Sequence, residues 1–418
     1  MTRRPVVPTA ADIETAAGRI AGVVTRTPLE PSPRLSALSG TNVLLKREDL
    51  QPVRSYKLRG AYNLMAQLTP VERAAGVVCA SAGNHAQGVA FACRALGIAG
   101  RIYLPRTTPR QKRDRIRAHG GDLVRLTMVG ATYDDAADAA AEDATRSGAL
   151  PVPPFDDLRT IAGQGTVAAE ILDQTVERPD VVVVPVGGGG LLAGMVTFLA
   201  ERAPEVRVVG VEPAGAPSMY AALAAGLPVP LAHLDPFVDG AAVRRVGELP
   251  YRVVAEHDVE IRAVNEGAVC TEMLELYQNE GIIAEPAGAL ASAALSELDL
   301  PAGGRVVCIV SGGNNDVSRY GEILERSLVH QGLKHYFLVD FPQEPGALRR
   351  FLDEVLGPED DITLFEYVKR NNRETGPALV GLELGAAAAL APLLDRMAAS
   401  PMDVERIEPG SAAYRYLT

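Results

Sequence analysis

Short apolar runs alternate with longer segments of helical periodicity up to about residue 325. Strand-like runs precede helix-like segments at 76–81, 101–105, 122–128 and 181–186, and runs at 207–213 and 305–310 each end in a loop. Such alternation is typical of parallel sheets wrapped by helices. We therefore predict two α/β subdomains, with any ligand bound beyond the carboxyl ends of the strands.

The pattern changes beyond residue 335, where the order of predicted elements becomes β-α-β-β-α-β, a ferredoxin-like arrangement. Apolar residues recur at i, i+3, i+4 and i+7 in each of its two predicted helices, namely Leu348, Phe351, Leu352 and Val355, then Leu390, Leu393, Leu394 and Met397. We place a first domain at 1–325, a linker at 326–334 and a second domain at 335–418.

The segment "VVVVPVGGGGLLAGMVTFLA", residues 181–200, carries no charge. It is long enough to span a bilayer, but Pro185 and the four glycines at 187–190 would break a helix in lipid. A strand over 181–186, a glycine loop and a helix from about Leu191 fit the composition better. Glycines before a helix leave N–H groups free for an anion, so we favour a phosphate site over a simple tight turn.

Bulk composition excludes several function classes. The net charge is −11 and no basic run occurs, which argues against nucleic acid as a partner. The 4 cysteines are scattered and the 6 histidines show no metal-ligand spacing, so we expect buried, reduced thiols and no metal site. The first residues lack the apolar segment of a signal peptide and no other segment resembles a membrane span, so a cytoplasmic location is expected.

Three further segments lie at predicted strand ends or in loops and could carry chemistry. They are "SYKLRGA" with Lys57, "SAGNHAQG" at 81–88 and "SGGNND" at 311–316. Taken alone, Lys57 is most simply a surface charge, and Ser81 or Asn84 a helix cap. Together with the glycine loop they favour pyridoxal phosphate, which needs a lysine, phosphate donors and a partner for its ring nitrogen. Dinucleotide binding is disfavoured because GxGxxG is missing from the first βα turn and GxxxxGK[ST] is absent.

The sequence resembles the fold-type II pyridoxal-phosphate enzymes, and most closely the biosynthetic threonine ammonia-lyases. Seven motifs stand in that family's order across nearly the whole chain: "SYKLRGA", "SAGNHAQGVA", "IAGQGT", "GGGGLLAG", "GVEP", "EPAGA" and "SGGNN". Each motif alone is weakly specific, whereas seven in order are highly specific. The resemblance implies a tryptophan synthase β-like catalytic domain followed by one ACT-like regulatory domain of α+β fold, as in the short form of the enzyme.

The resemblance also implies roles for individual residues. Lys57 would form the Schiff base with pyridoxal 5'-phosphate, Asn84 would hydrogen-bond its phenolic oxygen, and Ser311 would partner its pyridine nitrogen. Gly240 and Glu285 correspond to residues that line the ring. The phosphate loop corresponds to Gly187, Gly188, Gly189, Gly190 and Leu191, and the clamp for the substrate carboxylate to Ser81, Ala82, Gly83, Asn84 and His85.

The activity implied by this resemblance is β-elimination of L-threonine to 2-oxobutanoate and ammonia, the first committed step of isoleucine biosynthesis, with L-serine as a secondary substrate. A homotetramer is implied, with isoleucine as feedback inhibitor and valine opposing it. Poor racemisation is expected, because serine racemases of the family carry a serine where this chain has Ala82. A neutral hydroxyl at Ser311 should favour elimination over transamination.

Three alternatives remain open. The chain could be a degradative serine or threonine dehydratase, which the extra C-terminal domain argues against. It could be an amino-acid sensor with an inactive enzyme half, which the intact Lys57, Asn84, glycine loop and Ser311 make improbable. The C-terminal domain could serve only in oligomer packing, in which case isoleucine would not affect the rate.

Overall fold

The computed structural model of the protein describes residues 7–368 and 373–417. Residues 1–6 lie outside the described residues. They are part of the N-terminal stretch that we predict not to be a signal peptide. The chain divides into two compact units, residues 1–315 and 316–418.

The first unit alternates strands and helices along the chain. Its strands are β1 (Leu29–Pro31), β2 (Asn42–Arg47), β3 (Val77–Ala80), β4 (Gly100–Leu104), β5 (Val124–Met128), β6 (Leu150–Pro151), β7 (Val181–Pro185), β8 (Arg207–Pro213), β9 (Glu260–Val264) and β10 (Arg305–Val310). Its helices are α1 (Ala10–Ile20), α2 (Pro33–Ser39), α3 (Lys57–Ala66), α4 (Pro70–Ala75), α5 (Asn84–Leu96), α6 (Arg110–Gly120), α7 (Tyr133–Ser147), α8 (Leu158–Gln174), α9 (Gly190–Arg202), α10 (Ser218–Ala225), α11 (Glu248–Glu256), α12 (Glu266–Glu280) and α13 (Pro286–Ala293).

These strands form two sheets, which we call the large and the small sheet. The large sheet has the order β1-β2-β10-β7-β8-β9 and is parallel except for β1, which pairs antiparallel with β2. The small sheet has the order β5-β4-β3-β6 and is parallel throughout. The prediction of two α/β subdomains is confirmed.

The central strand β7 shows why the sequence favours this architecture. All five of its residues, "VVVVP", are buried, because β10 and β8 flank it and helices cover both faces. The valines at 182 and 184 enter the core of the large sheet with residues of α1, α8 and α9. A separate core lies at the small sheet and includes α3 and α5.

The second unit is a four-stranded antiparallel sheet with helices. Its strands have the order β12-β13-β11-β14, so the predicted β-α-β-β-α-β arrangement is confirmed. Its elements are α14 (Tyr320–His330), β11 (Lys334–Pro342), α15 (Ala347–Arg350), β12 (Asp361–Tyr367), β13 (Thr375–Glu383), α16 (Leu390–Ala399), β14 (Asp403–Ile407) and an unpredicted α17 (Ala412–Leu417).

One predicted helix of the second unit differs in detail. After α15 the chain continues as a π-helix over Phe351–Val355, so residues four apart face the core. Phe351 and Val355 are buried, whereas Leu348 is 44% and Leu352 43% exposed. The prediction that all four apolar residues lie on the buried face of one α-helix is therefore wrong here.

The predicted linker overlaps regular structure. Helix α14 continues to His330, so residues 326–330 are helical and 331–333 alone separate it from β11. The boundary between the compact units falls between Asn315 and Asp316. A functional boundary near residue 325 stays a prediction.

The helices and the cysteines test two further expectations from the sequence. No helix within 7–368 and 373–417 combines the length and the apolar character needed to cross a bilayer. Cys79 and Cys308 are buried, as predicted from the apolar runs that contain them, and Cys93 and Cys270 are buried as well.

Candidate active site

Three strand ends of the first unit supply the predicted site segments. Strand β3 runs into the loop at 81–83, β7 into the glycines at 187–190, and β10 into Ser311. Because β7 and β10 are parallel neighbours, their carboxyl ends meet at one edge of the large sheet. This is the edge where α/β folds bind ligands.

Lys57 is the first residue of α3 and is half-buried. Its Nζ donates a hydrogen bond to the carbonyl oxygen of Pro154 at 3.2 Å and lies 5.1 Å from the centre of the Tyr56 ring. The Tyr56 N–H donates to the carbonyl oxygen of Ser311 at 3.2 Å, so the residue before Lys57 is tied to the end of β10. Lys57 therefore lies at the site rather than on a solvated surface.

The glycines at 187–190, which we call the glycine turn, join β7 to α9. Their N–H groups make no hydrogen bond to any residue in the described ranges, and Gly189 has a left-handed φ of +89°. A Cβ atom at Gly187 would lie 2.9 Å from Cα of Ala241. Leu191 is buried in the core of the large sheet, so only its N–H could reach a ligand. Free donors at the start of a helix suit an anion.

Phe155 packs directly on the glycine turn. A Cβ atom at Gly188 would lie 2.1 Å from Cδ1 of Phe155, and one at Gly190 would lie 2.9 Å from its Cα. The preceding residue, Pro154, accepts the hydrogen bond from Lys57. Two consecutive residues thus bring the amine and the glycine turn into one site.

Asn84 belongs to a hydrogen-bonded triad at the other side of the site. Its Nδ2 donates to Glu285 Oε1 at 2.5 Å, and its Oδ1 accepts from Asn314 Nδ2 at 2.7 Å. The Asn314 N–H donates to Glu285 Oε2 at 3.1 Å. Asn84 starts α5 beside the small sheet, while Asn314 follows β10 of the large sheet, so the triad joins the two. Its side chain makes these bonds and does not cap α5.

Ser311 is buried and its Oγ donates to the carbonyl oxygen of Ala287 at 3.1 Å. Because a hydroxyl hydrogen can rotate, this group can instead donate to a ligand or accept a hydrogen bond from one. A Cβ atom at Gly240 would lie 2.8 Å from Cβ of the same Ala287 and 3.3 Å from Oε1 of Glu285. Ser311, Gly240 and Glu285 are therefore neighbours, as their predicted roles require.

The loop before α5 exposes a second set of N–H groups. Oγ of Ser81 accepts from the N–H groups of Gly83 and Ala86, both at 3.3 Å. The N–H groups of Asn84 and His85, in the first turn of α5, make no hydrogen bond within the described part of the chain. These donors can bind a carboxylate at the helix start.

His85 is held neutral beside this loop. Its Nε2 lies 2.7 Å from the carbonyl oxygen of Val152, so Nε2 carries the hydrogen. Burial, and then the nearby charge of Lys57, lower the pKa of His85 to about 3. Ala82 packs half-buried against the core of the small sheet.

These residues fit pyridoxal phosphate. Lys57 offers an amine for a covalent bond, and the glycine turn offers donors in a cradle that a Cβ atom would obstruct at Gly188. Ser311 offers a hydrogen bond to a ring nitrogen, and Asn84 offers one to a ring substituent. All the predicted site residues therefore come together, and their individual roles stay predictions.

Two residues of this site had no predicted role. Asn314 was visible as the first asparagine of "SGGNND", but spacing alone could not pair it with Glu285, which precedes it by 29 residues. Phe155 carries no sequence signal, because its contact with the glycine turn depends on how the two segments meet in space.

Glu285 should make stability depend on pH. Burial, reinforced by Asp239, raises the pKa of Glu285 to about 7, against hydrogen bonds from Asn84 and Asn314. Between its usual value and about 7, the folded protein keeps a proton that the unfolded chain has lost, so the free energy of unfolding falls as pH rises. We expect this group to account for a loss of about 3 kcal/mol between pH 5 and 8.

Glu285→Gln tests this expectation by urea unfolding followed by circular dichroism at both pH values. The variant should be less stable overall, because the NH2 group of the glutamine must face one of two donors, Asn84 Nδ2 or the Asn314 N–H. Its stability should nevertheless fall less as pH rises. The exposed Glu205, changed to glutamine, is the control and should keep the parent slope. An unchanged slope in Glu285→Gln would contradict the expectation.

Comparison with known proteins agrees with this geometry. The family model "Pyridoxal-phosphate dependent enzyme" matches residues 20–312, and "C-terminal regulatory domain of Threonine dehydratase" matches residues 325–417. The chain is 69% identical to the biosynthetic L-threonine dehydratase IlvA of Mycobacterium bovis over 409 residues, which cover 97% of this chain and 95% of the relative.

Solved structures show the same fold. The processed form of threonine deaminase isoform 2 from Solanum lycopersicum matches with a TM-score of 0.70 and 38% identity, covering 78% of this chain and 96% of that one. Maize serine racemase matches with a TM-score of 0.71 and 30% identity, covering 78% and 99%. With the matched residues and the site in agreement, the chain belongs to the pyridoxal-phosphate-dependent enzymes and, among them, to the biosynthetic threonine dehydratases.

Proposed function

We propose that the enzyme converts L-threonine to 2-oxobutanoate and ammonia by β-elimination, as the first committed step of isoleucine biosynthesis. The observation that carries this proposal is the amine of Lys57 beside a glycine turn with free N–H donors, in a member of this family. L-serine, shorter by one methyl group, should be a secondary substrate, since a methyl group is worth only about 1–3 kcal/mol in a pocket.

The bound cofactor supplies an electron-withdrawing ring that stabilises the charge left when Cα of the substrate loses its proton. Lys57 would hold the cofactor through Nζ and, once the substrate's amino group has displaced it from that bond, would take the proton at Nζ as a free amine. The amine must be neutral to act as a base. Its Nζ lies at the site, where it donates to the carbonyl oxygen of Pro154 at 3.2 Å.

The loop from Ser81 to His85 would orient the substrate. Its free N–H groups at the start of α5 bind the carboxylate and so turn the Cα proton towards Lys57. His85 adds no charge there, because its low pKa keeps the ring neutral. Ala82 has no acid–base group, which supports elimination without racemisation.

Ser311 would partner the ring nitrogen through a neutral hydroxyl. Its Oγ lies 3.1 Å from the carbonyl oxygen of Ala287. The residue at this position, directly after β10, is a serine and not an aspartate or glutamate. A neutral hydroxyl would not keep the ring nitrogen protonated as an acid would, so the ring would withdraw fewer electrons, which favours prompt loss of the β-hydroxyl over transamination.

A product assay tests the reaction. The holoenzyme should release 2-oxobutanoate from L-threonine and, more slowly at equal concentration, pyruvate from L-serine. Little D-allo-threonine, the Cα epimer of L-threonine, or D-serine should form. Borohydride reduction followed by peptide mass spectrometry should place the cofactor on Lys57. An adduct on another lysine, or its absence from cofactor-saturated enzyme, would overturn the proposed site.

The regulatory match at 325–417 supports feedback control by isoleucine, opposed by valine. We expect isoleucine to lower the initial rate with threonine, and valine to restore part of it, because the two effectors would favour different states. Rates measured across an isoleucine titration, with leucine as control, test this. A rate that isoleucine leaves unchanged would favour a packing role for the second unit.

Two further properties belong to the same proposal. A cytoplasmic location is supported by four buried, unbridged cysteines, as expected in a reducing compartment. A homotetramer follows from the family resemblance, and sedimentation of the holoenzyme would test it.

A further inference from the structure

Arg59 lies two residues after Lys57 on α3 and is fully buried. Its guanidinium forks onto Glu48 with two bonds of 2.7 Å, and onto Glu170 with bonds of 2.7 and 2.9 Å. A fifth bond reaches Oγ1 of Thr166 at 3.1 Å. Two bidentate pairs of this kind fix the orientation of the guanidinium as well as its position.

The surrounding charges are balanced. Lys46 is also buried, and its Nζ donates to Glu170 Oε2 at 2.6 Å and to the carbonyl oxygen of Thr27 at 2.7 Å. Two cations, Lys46 and Arg59, thus face two carboxylates, Glu48 and Glu170, and we call these four residues the Arg59 cluster. Burial would raise the pKa of Glu48, but Arg59 and Lys46 hold it below its usual value. The opposite charges offset the hydration that burial removes from each other.

The cluster joins elements that belong to different cores. Helix α3 contributes Leu58 and Leu64 to the core at the small sheet. Lys46 lies in β2 of the large sheet, and Glu48 follows it in a short 3-10 turn. Strand β2 pairs with β10, the strand that ends at Ser311. Through Arg59, the helix that begins with Lys57 is therefore bonded to the sheet that carries the glycine turn and Ser311.

Close packing leaves α3 little freedom to adjust. A Cβ atom at Gly163 of α8 would lie 2.6 Å from the carbonyl oxygen of Arg59, and one at Gly60 would lie 2.8 Å from that of Thr160. The two backbones are thus in direct contact beside the fork to Glu170, which is also on α8. A shift of α3 along α8 would break both the ion pairs and this contact.

We propose that Arg59 is a positioning residue, which fixes the rotation and axial position of α3 and so aims Lys57 Nζ at the glycine turn. This inference rests on the proposed assignment of Lys57 as the lysine that bonds the cofactor. A displacement of about 1 Å between reacting groups can cost up to about 100-fold in rate, so a small movement of α3 is enough to matter.

Arg34 provides a matched control. It is also largely buried and forks onto two carboxylates, with bonds of 2.8 and 3.1 Å to Glu272 and 2.9 Å to Glu280. These bonds join α2 to α12, and neither helix carries a predicted site residue. Loss of Arg34 should therefore reduce stability without changing the chemistry.

The experiment compares holoenzymes of Arg59→Lys, Arg59→Met, Glu170→Gln and Arg34→Met at saturating pyridoxal phosphate. Four quantities are measured for each variant: kcat per bound cofactor, KM for threonine, the position and intensity of the visible absorption band, and the residue that carries the borohydride adduct. We expect Arg59→Met to lower kcat per cofactor about tenfold with KM within about twofold of the parent, and to shift or weaken the absorption band. Arg59→Lys should recover part of the loss, since it restores the charge but not the fork. Arg34→Met should keep the parent kcat per cofactor.

If neither Arg59 variant folds, Glu170→Gln decides, because it keeps the side-chain volume and removes one carboxylate; we expect a loss of about threefold or more. Parent-like kcat and absorption in the folded variants, with the adduct on Lys57, would overturn the positioning role alone. An adduct elsewhere in the parent enzyme would instead overturn the proposed site.

Discussion

Lys57→Ala should lower kcat for threonine by about 10²–10⁴-fold at saturating cofactor, the range that loss of a general base alone predicts. The variant should fold normally, because the Nζ of Lys57 has one hydrogen bond, to a carbonyl oxygen at 3.2 Å. The measurement is release of 2-oxobutanoate, with circular dichroism to confirm folding. Borohydride should no longer attach the cofactor to the chain.

Lys57→Arg is the matched control. It preserves positive charge and nearly the length of the side chain, but a guanidinium stays protonated and can neither act as a base nor bond the cofactor in the same way. Both variants should be about equally inactive. Retention of more than a tenth of the parent kcat by either one would contradict the role proposed for Lys57.

Gly189→Ala should raise the dissociation constant of pyridoxal phosphate at least about 100-fold. Gly189 has a φ of +89°, and its Cβ would lie 2.7 Å from both Cε of Met219 and Cβ of Pro250. Left-handed backbone costs a non-glycine residue about 1–2 kcal/mol, so the turn should rearrange and misdirect its N–H groups. Losing two hydrogen bonds to a charged phosphate costs about 3 kcal/mol or more, which corresponds to this change.

Gly148→Ala separates backbone strain from damage to the site. Gly148 also has a left-handed φ, of +72°, but its Cβ would meet no atom within 4 Å, and it ends α7 away from the glycine turn. Spectrophotometric titration of the apoenzymes should show parent-like cofactor affinity for Gly148→Ala and weakened affinity for Gly189→Ala. Equal affinity in both variants would mean that the glycine turn does not hold the phosphate.

Residues close in sequence were the predictable part of the site. The valines of β7 and the glycines after them define a buried strand and a turn from composition alone, and the structure has them within one residue of the predicted bounds. The loops after β7 and β10 could be expected at the same edge, because neighbouring parallel strands end together. The family resemblance then linked these segments to one cofactor.

Contacts between distant segments could not be predicted. Phe155 meets the glycine turn, and Asn314 meets Asn84, only because of how the two sheets of the first unit pack. Arg59 stands in a quoted motif, yet charged residues are usually exposed, so nothing local indicated its burial in a cluster of four charged residues. The π-helix at 351–355 was missed because apolar spacing does not distinguish it from an α-helix.

The burial of every native thiol has a practical consequence for measuring motion. Burial raises the pKa of Cys93 to about 12 and that of Cys79 and Cys308 further, so thiolate is scarce and shielded from reagents. A maleimide dye should therefore ignore the native enzyme and attach only to a cysteine introduced on its surface. Pairs of such dyes, one on each compact unit, would report whether added isoleucine or valine changes their separation, without first deleting any natural cysteine.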